Sequence, residues 1–277
     1  MKITTITLNP VYDVHIEAKG FKPYLETYAD SVLVSIGGKG INVSRALSSR
    51  GVPNTAYIVL GKENAKDFEK MLAQYGIVYK AFYVEGVIRN NISVHTEGFT
   101  DTRICFKGLT VSDRIMGRIR ESLIAETDEN TVVVFSGKLP CGMTQAYASE
   151  FLKGIVDETG CRLCIDSNSF SAKDLSLIKP WLVKPNQYEI AGLTGIKVDC
   201  AERAISAAEE LYRTGIANVI VSMGSGGAVA VCGGDKYRVS VPSIKAVSEV
   251  GAGDNMVAGF LEADAQGRGG QPVVTNA

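Results

Sequence analysis

The chain has 277 residues, 45% hydrophobic and 21% charged, which is globular composition with room for one large α/β domain or two smaller ones. A formal net charge of -1 and the lack of any basic run argue against nucleic acid as a partner. No apolar stretch approaches the roughly 20 residues that span a bilayer, and Met1 to Leu8 lacks a signal-peptide layout, so a cytoplasmic protein with no membrane partner is expected.

Lys2 to Leu8 reads as the first strand and ends at Asn9-Pro10-Val11-Tyr12-Asp13. Parallel α/β sheets bind ligands at the carboxyl ends of their strands. Asp13 is therefore placed either to accept hydrogen bonds from a polyol or to cap the turn. Tyr12 to Val34 is irregular and partly alternating, as short strands outside the main sheet would be. Next, Ile36-Gly37-Gly38-Lys39-Gly40 opens a helix whose inward candidates include Ile41, Ala46 and Leu47. Lys39 can hold a phosphate as a point charge or stand in solvent beside a turn. Glycines on both sides of it favour close backbone approach to a ligand. Asn42 can bond a hydroxyl.

Thr55 to Leu60 reads as a strand, Asn64 to Tyr75 as a helix and Ile77 to Val84 as a strand. Arg89 to Thr96 and Arg103 to Phe106 alternate around the turn-like Glu97 to Asp101, which predicts a hairpin. With the segment before Val34 it would form a small sheet, a lid over the site. Ser112 to Glu126 follows as a helix.

From Thr131 the pattern is strand, turn, helix, repeated. Strands are expected at Thr131 to Phe135, Leu163 to Asp166, Trp181 to Asn186, Asn218 to Ser222 and Ala228 to Cys232, with helices at Thr144 to Glu158, before Leu193, and at Ala201 to Tyr212. Continuous apolar strands alternating with helices predict a mostly parallel sheet covered on both faces. Cys161 and Cys164 have redox-motif spacing but sit on a strand, where residues three apart face opposite ways, so their thiols should not meet. His15 and His95 are the only histidines, which leaves little material for a metal site or a histidine triad.

Near the end stands Val250-Gly251-Ala252-Gly253-Asp254, with a helix predicted over Met256 to Gln266. Two glycines bare backbone amides at a helix start, where dipole and unsatisfied donors both attract anions. Asp254 reads either as an N-cap or as a base beside an anion-stabilising nest, an arrangement suited to phosphoryl transfer. The P-loop pattern is absent. The dinucleotide fingerprint is absent too, since Val229 and Met256 stand where a third glycine would fall after Gly224-Ser225-Gly226 and Gly251-Ala252-Gly253.

Seven stretches in order resemble the ribokinase-like (PfkB) carbohydrate kinases along nearly the whole chain, and within them the hexose-phosphate kinases acting on fructose 1-phosphate or tagatose 6-phosphate. They are Leu8-Asn9-Pro10 with Asp13; Gly37 to Val43; Arg89 with Asn91; Ser136-Gly137 with Leu139-Pro140; Lys184-Pro185-Asn186 with Glu189; Val221-Ser222 with Gly224 and Gly227; and Val250 to Asp254. The resemblance implies a three-layer α/β/α ribokinase-like fold over residues 1–277, with a mostly parallel sheet and a small β lid inserted from about 11–34 and 89–107. It implies ATP- and Mg2+-dependent phosphorylation of a sugar-phosphate hydroxyl, foremost fructose 1-phosphate to fructose 1,6-bisphosphate. The alternatives are a tagatose-6-phosphate kinase or a sugar-phosphate-binding protein with impaired catalysis.

By the same resemblance Asp254 is the base, and the amides of Gly251, Ala252 and Gly253 stabilise the transferring phosphoryl group. Asp13, Gly38 and Asn42 bind sugar, while Lys39 and Arg89 hold the phosphate it already carries. Asn186 and Glu189 organise Mg2+ and its waters. Ser222, Gly224 and Gly227 form the nucleotide loop, and Lys184 reaches the phosphates. Departures are Asn255 where Ser, Thr or Ala is usual, Lys138 in the Ser136 to Pro140 loop, and the part of the hairpin's second strand around Arg103, where an acidic residue is expected for this group. The breaker-rich Gly267 to Pro272 makes the C-terminal part read as truncated, with a partly open adenine site. Lid edges suggest a homodimer.

Overall fold

The apolar runs become buried strands because each must hide both of its faces. In the computed structural model β1 (Lys2–Thr7) leads into β2 (Val11–Glu17), β3 (Ser31–Gly37), α1 (Lys39–Ser49), β4 (Thr55–Gly61), α2 (Ala65–Gln74) and β5 (Tyr79–Val84). Then come β6 (Arg89–Thr96), β7 (Phe99–Cys105), α3 (Asp113–Glu126), β8 (Thr131–Ser136), α4 (Gln145–Thr159), β9 (Arg162–Asp166) and α5 (Ala172–Ile178). The remainder is β10 (Leu182–Val183), α6 (Gln187–Thr194), α7 (Ala201–Arg213), β11 (Asn218–Ser222), β12 (Ala228–Cys232), β13 (Asp235–Val239) and α8 (Ala252–Ala265). The structure describes residues 1–22, 24–97, 99–241 and 251–267, with 99–101 through their backbone. Val250 of the glycine motif and the expected tail from Arg268 lie outside the described residues.

The main sheet runs β13-β12-β11-β10-β9-β8-β1-β4-β5. It is parallel except at β12 and β13, which add on antiparallel. The fold is α/β, and helices cover both faces. Val43, Ala46 and Leu47 of α1 and Val257, Ala258 and Leu261 of α8 share one cluster with Ile3, Val132 and Cys164. Helices α3 to α7 pack against the other face, with Leu163 and Ile165. Cys161 belongs to that second cluster and Cys164 to the first, so the strand does separate the two thiols.

The lid is a four-stranded sheet, β3-β2-β6-β7, issuing from the carboxyl ends of β1 and β5. It reaches further than expected, since β3 continues to Gly37. Its register sorts its residues into two faces. Ser35, Asp13, Asn91 and Cys105 form one rung, and Val34, Val14, Ile92 and Ile104 the next, which faces the other way. One face is polar and the other apolar.

Three expectations change. Helix α8 starts at Ala252, not Met256, because Gly251 at φ +85° turns the chain and Asp254 suits a first turn. The strand expected over Trp181 to Asn186 shrinks to Leu182–Val183, since Pro185 has no N–H for the ladder. Helix α5 and strand β13 were not expected. α5 starts in a capping box of Ser171 and Asp174, and β13 is polar and mostly exposed, without an apolar pattern.

Gly227 connects β11 to β12 at φ +85°, and a Cβ there would overlap the Val239 carbonyl. Gly227→Ala is expected to cost on the order of 2–4 kcal/mol, from strain plus displacement of β13. Urea unfolding measures this as a lower midpoint with unchanged slope.

Candidate active site

The carboxyl ends of β1, β8 and β9 meet the amino ends of α1 and α8. Both of these helices start on a glycine with no side-chain cap, Gly38 for α1 and Gly251 for α8. The first turn of α8 closes with the Asn255 amide donating to the Gly251 carbonyl at 2.9 Å. The amides of Ala252, Gly253 and Asp254 precede that bond and have no partner within the helix. By contrast, α6 is capped, because Asn186 Oδ1 accepts the amides of Tyr188 and Glu189 and Glu189 Oε2 accepts the amide of Asn186. The open amide donors are thus at α1 and α8.

The glycines at the start of α1 have a packing reason as well. A Cβ on Gly38 would meet the Thr7 methyl at 2.8 Å, and one on Gly40 would press the Ile6 carbonyl at 2.8 Å. Helix α1 therefore lies close on the end of β1, and Asn42 faces α8. Asn42 Nδ2 donates to Asp254 Oδ2 at 2.7 Å. Asp254 is buried. Burial pushes its carboxyl above the ordinary range, and Asp166 adds to that. The Asn42 hydrogen bond, Lys39 and Lys184 act the other way without overcoming it.

Beside it lies a carboxylate that the motifs did not single out. Asp166, at the end of β9, is 1% exposed. Its Oδ1 faces Lys39 Nζ at 3.0 Å and Lys184 Nζ at 3.4 Å, while Oδ2 has no protein partner. Its sequence signal is an Asp closing a buried parallel strand, the same signal that marked Asp13. Lys184 is buried, and its ammonium is 3.1 Å from where a Gly253 Cβ would be. Glycine at 253 lets that ammonium sit close against the first turn of α8 without crowding. A cleft of about 260 Å³ lined by Ser167, Asn168, Lys184 and Glu189 adjoins this centre. A larger hollow of about 430 Å³ beside Lys80 and Arg118 contains none of these residues.

Asp13, Arg89, Asn91 and Arg103 make a second centre on the polar face of the lid. Asp13 Oδ1 accepts from Asn91 Nδ2 and from Arg103 Nη2, each at 3.0 Å. A Cβ on Gly37 would overlap the same carboxylate, so glycine there makes room for it. Arg89 donates through Nε to Asn9 Oδ1 and through Nη1 to Asn91 Oδ1, each at 3.0 Å. Burial lowers the Arg89 pKa from its ordinary value.

Lys39 and Arg89, both expected at the phosphate already on the sugar, have separate protein partners. Lys39 bonds Asp166, and Arg89 bonds Asn9 and Asn91, with no partner in common. Ser222 lies beside Asn186 through a parallel bridge, and Gly224 opens a single 3-10 turn, Gly224–Gly226, with open space at its Cα. Among the described residues no group of three or more His, Cys, Asp and Glu side chains could hold a metal ion. His15 and His95 pair with each other in the lid at 3.1 Å.

Residues 4–275 match the family described as pfkB family carbohydrate kinase. The chain is 31% identical over 264 residues to the 1-phosphofructokinase of Escherichia coli (strain K12), which covers 94% of this chain and 83% of that one. It is 32% identical over 262 residues to the tagatose-6-phosphate kinase of Staphylococcus epidermidis, over 93% and 84% of the two chains. The crystal structure of phosphofructokinase-2 from Escherichia coli in complex with fructose-6-phosphate matches with a TM-score of 0.86 at 27% identity, over 96% of this chain and 88% of that one.

A carboxyl held above its unfolded value binds protons more tightly in the folded state. The stability it contributes is greatest at low pH and falls as pH rises through the raised value. Asp254→Asn is therefore expected to raise the melting temperature at pH 7, and an unchanged or lower value in scanning calorimetry would contradict a desolvated charge.

Proposed function

The chain belongs to the pfkB family of carbohydrate kinases, and from that premise we propose that it phosphorylates fructose 1-phosphate to fructose 1,6-bisphosphate. It is a sugar kinase, a phosphotransferase with an alcohol acceptor, acting on a ketohexose phosphate with ATP. Tagatose 6-phosphate is the second candidate acceptor, because a kinase of that sugar is as similar to this chain as the 1-phosphofructokinase is.

One observation carries the reading. Asp254 is a buried carboxylate in the first turn of an uncapped helix, with amides and an ammonium on the side where charge would develop. In the proposed step Asp254 takes the proton of the sugar hydroxyl as that oxygen bonds to the γ-phosphorus of ATP. The bond to the β,γ-bridging oxygen breaks, and ADP leaves. The amides of Gly251, Ala252 and Gly253 receive the charge on the transferring group, one such donor being worth about 100- to 1000-fold in rate. Asp13 and Asn42 hold sugar hydroxyls, and Gly38 permits close approach. Arg89 and its neighbour Arg103 grip the phosphate already on the sugar. Ser222, Gly224 and Gly227 carry the nucleotide, with Lys184 toward its phosphates.

Mg2+ fits the residues present, since Glu189 keeps Oε1 outside its capping box and Asp166 Oδ2 is a buried oxygen with no protein partner. A hard ion that retains several waters suits so few protein oxygens. Glu189 directly, and Asn186 through water, would hold it, and it would neutralise charge on the nucleotide phosphates.

The apolar lid face supports a homodimer. Its rung Val34, Val14, Ile92 and Ile104 crosses all four strands, and Val34 and Ile104 are 44% and 52% exposed. A second copy would cover it.

A coupled ADP-release assay with fructose 1-phosphate, tagatose 6-phosphate and fructose 6-phosphate tests the activity. Turnover is expected, with Asp254→Ala lowering kcat by about 100- to 10,000-fold. Sugar-phosphate binding without ATP binding or turnover would instead support the binding-only alternative. Asn42→Ala removes the hydrogen bond that draws the Asp254 pKa down, so the acidic limb of the kcat/KM profile is expected to move to higher pH. For the dimer, analytical ultracentrifugation of Ile104→Asp should give a monomer where the wild type gives twice that mass.

A further inference from the structure

Lys39 is the basic residue of the site whose surroundings disagree most with its expected role. The charged groups acting on it are Asp166, Glu189 and Asp254, all on the α8 and nucleotide side. Those acting on Arg89 are Asp13, Arg103 and the thiols of Cys105 and Cys141, all on or beside the lid. The two sets share no member.

Resting on the kinase reading, the geometry points to Lys39 as a catalytic residue that holds the phosphoryl group in transit, rather than one that grips the phosphate resident on the sugar. Four observations support this. The side chain leaves the first residue of α1, the helix that also carries Asn42 to Asp254. Its ammonium shares one oxygen of Asp166 with Lys184, whose own ammonium is packed against Gly253. Lys39 and the amide array of α8 are therefore linked through a single buried carboxylate. An ammonium has three donors, and Asp166 occupies one of those on Lys39, leaving two. Finally, the Lys39 side chain is 39% exposed while Lys184 is 4% exposed, so Lys39 is the more open of the two to an incoming group.

The chemistry needs such a cation. In a loose transfer the charge spreads over three equatorial oxygens of the moving group. The α8 amides offer partial charges on one side. Lys39 supplies a full charge from α1, and Asp166 keeps that charge in place before substrate arrives. Burial pulls the Lys39 pKa down, but Asp166, Glu189 and Asp254 together hold the ammonium above its ordinary value. Lys39 thus stays charged throughout the neutral range.

The two roles separate kinetically. An interaction made only in the transition state shows in kcat, whereas a grip on the resident phosphate shows in KM. With fructose 1-phosphate and saturating ATP, Lys39→Met is expected to lower kcat by about 100- to 1000-fold. Its KM for the sugar phosphate should stay within about threefold of wild type. Arg89→Met should do the converse, raising KM about 10- to 100-fold, as loss of a charged hydrogen bond does. Calorimetry of fructose 1-phosphate binding to Lys39→Met, expected to match wild type, shows that the variant is folded with an intact sugar site. A raised KM with kcat retained in Lys39→Met, or loss of sugar-phosphate binding, overturns the assignment while leaving the kinase reading intact. Absence of wild-type turnover with every sugar phosphate overturns the kinase reading and this assignment with it.

Discussion

Asp166 is a carboxylate with almost no access to water, held between two ammonium groups that come from different parts of the chain. Removing one partner from such a buried pair leaves an uncompensated charge, which typically costs about 3–5 kcal/mol. The arrangement ties the start of α1, the segment after β10 and the end of β9 to one point. Asp254 stands next to that point, bonded to Asn42. Two carboxylates and two ammoniums therefore occupy the place where the glycine-started helices meet the sheet. The two ammoniums compensate Asp166 and offset only part of the desolvation of Asp254, and an anion arriving there finds cations and amides already oriented.

The lid solves a different problem with the same economy of backbone. Asp13 must stand on a strand and still take two donors, and Gly37, which pairs with Val11 on the neighbouring strand, makes room for its carboxylate by having no side chain. Arg103, near which a carboxylate was expected, is itself bound to Asp13. The polar lid face becomes a second cationic centre, separate in its contacts from the one at α8. A substrate carrying one phosphate and receiving another needs two such centres, one at each end.

Much of this was legible in the sequence because it rests on backbone demands. Parallel strands without polar interruption, the glycine-opened helices α1 and α8, and the two-faced lid all follow from periodicity and from where glycine is required. Asp13, Asn42 and Asp254 were visible as polar residues after a strand or at helix starts, whereas Arg89 and Asn91 stood out only through the resemblance to a known family. Two things were not legible. Asp166 closes an ordinary apolar strand, and nothing local says that two distant lysines will converge on it. The partner of Lys39 was equally hidden, because a lysine in a glycine loop can turn toward either centre and only the tertiary fold decides. Boundaries slipped where one residue controls them, at Gly251 for α8 and at Pro185 for β10. The polar, mostly exposed β13 lacked the apolar alternation that marks a half-buried strand.

Asn255 shows how a departure from a motif is absorbed. Its amide nitrogen donates to the Gly251 carbonyl at 3.0 Å, and its oxygen accepts from Arg50 at 3.3 Å. Arg50 follows the last turn of α1, where it also donates to the Ala46 carbonyl and pairs with Glu262 of α8. A small residue at position 255 could not make both contacts. Asn255 therefore braces the glycine turn from inside α8 and fastens that helix to the far end of α1. The Asn42–Asp254 bond joins the same two helices at the near end of α1. With α1 pinned at both ends, rotation of α8 about its axis would break one bond or the other. The direction in which the Asp254 carboxylate points is thus set by the pair of helices together.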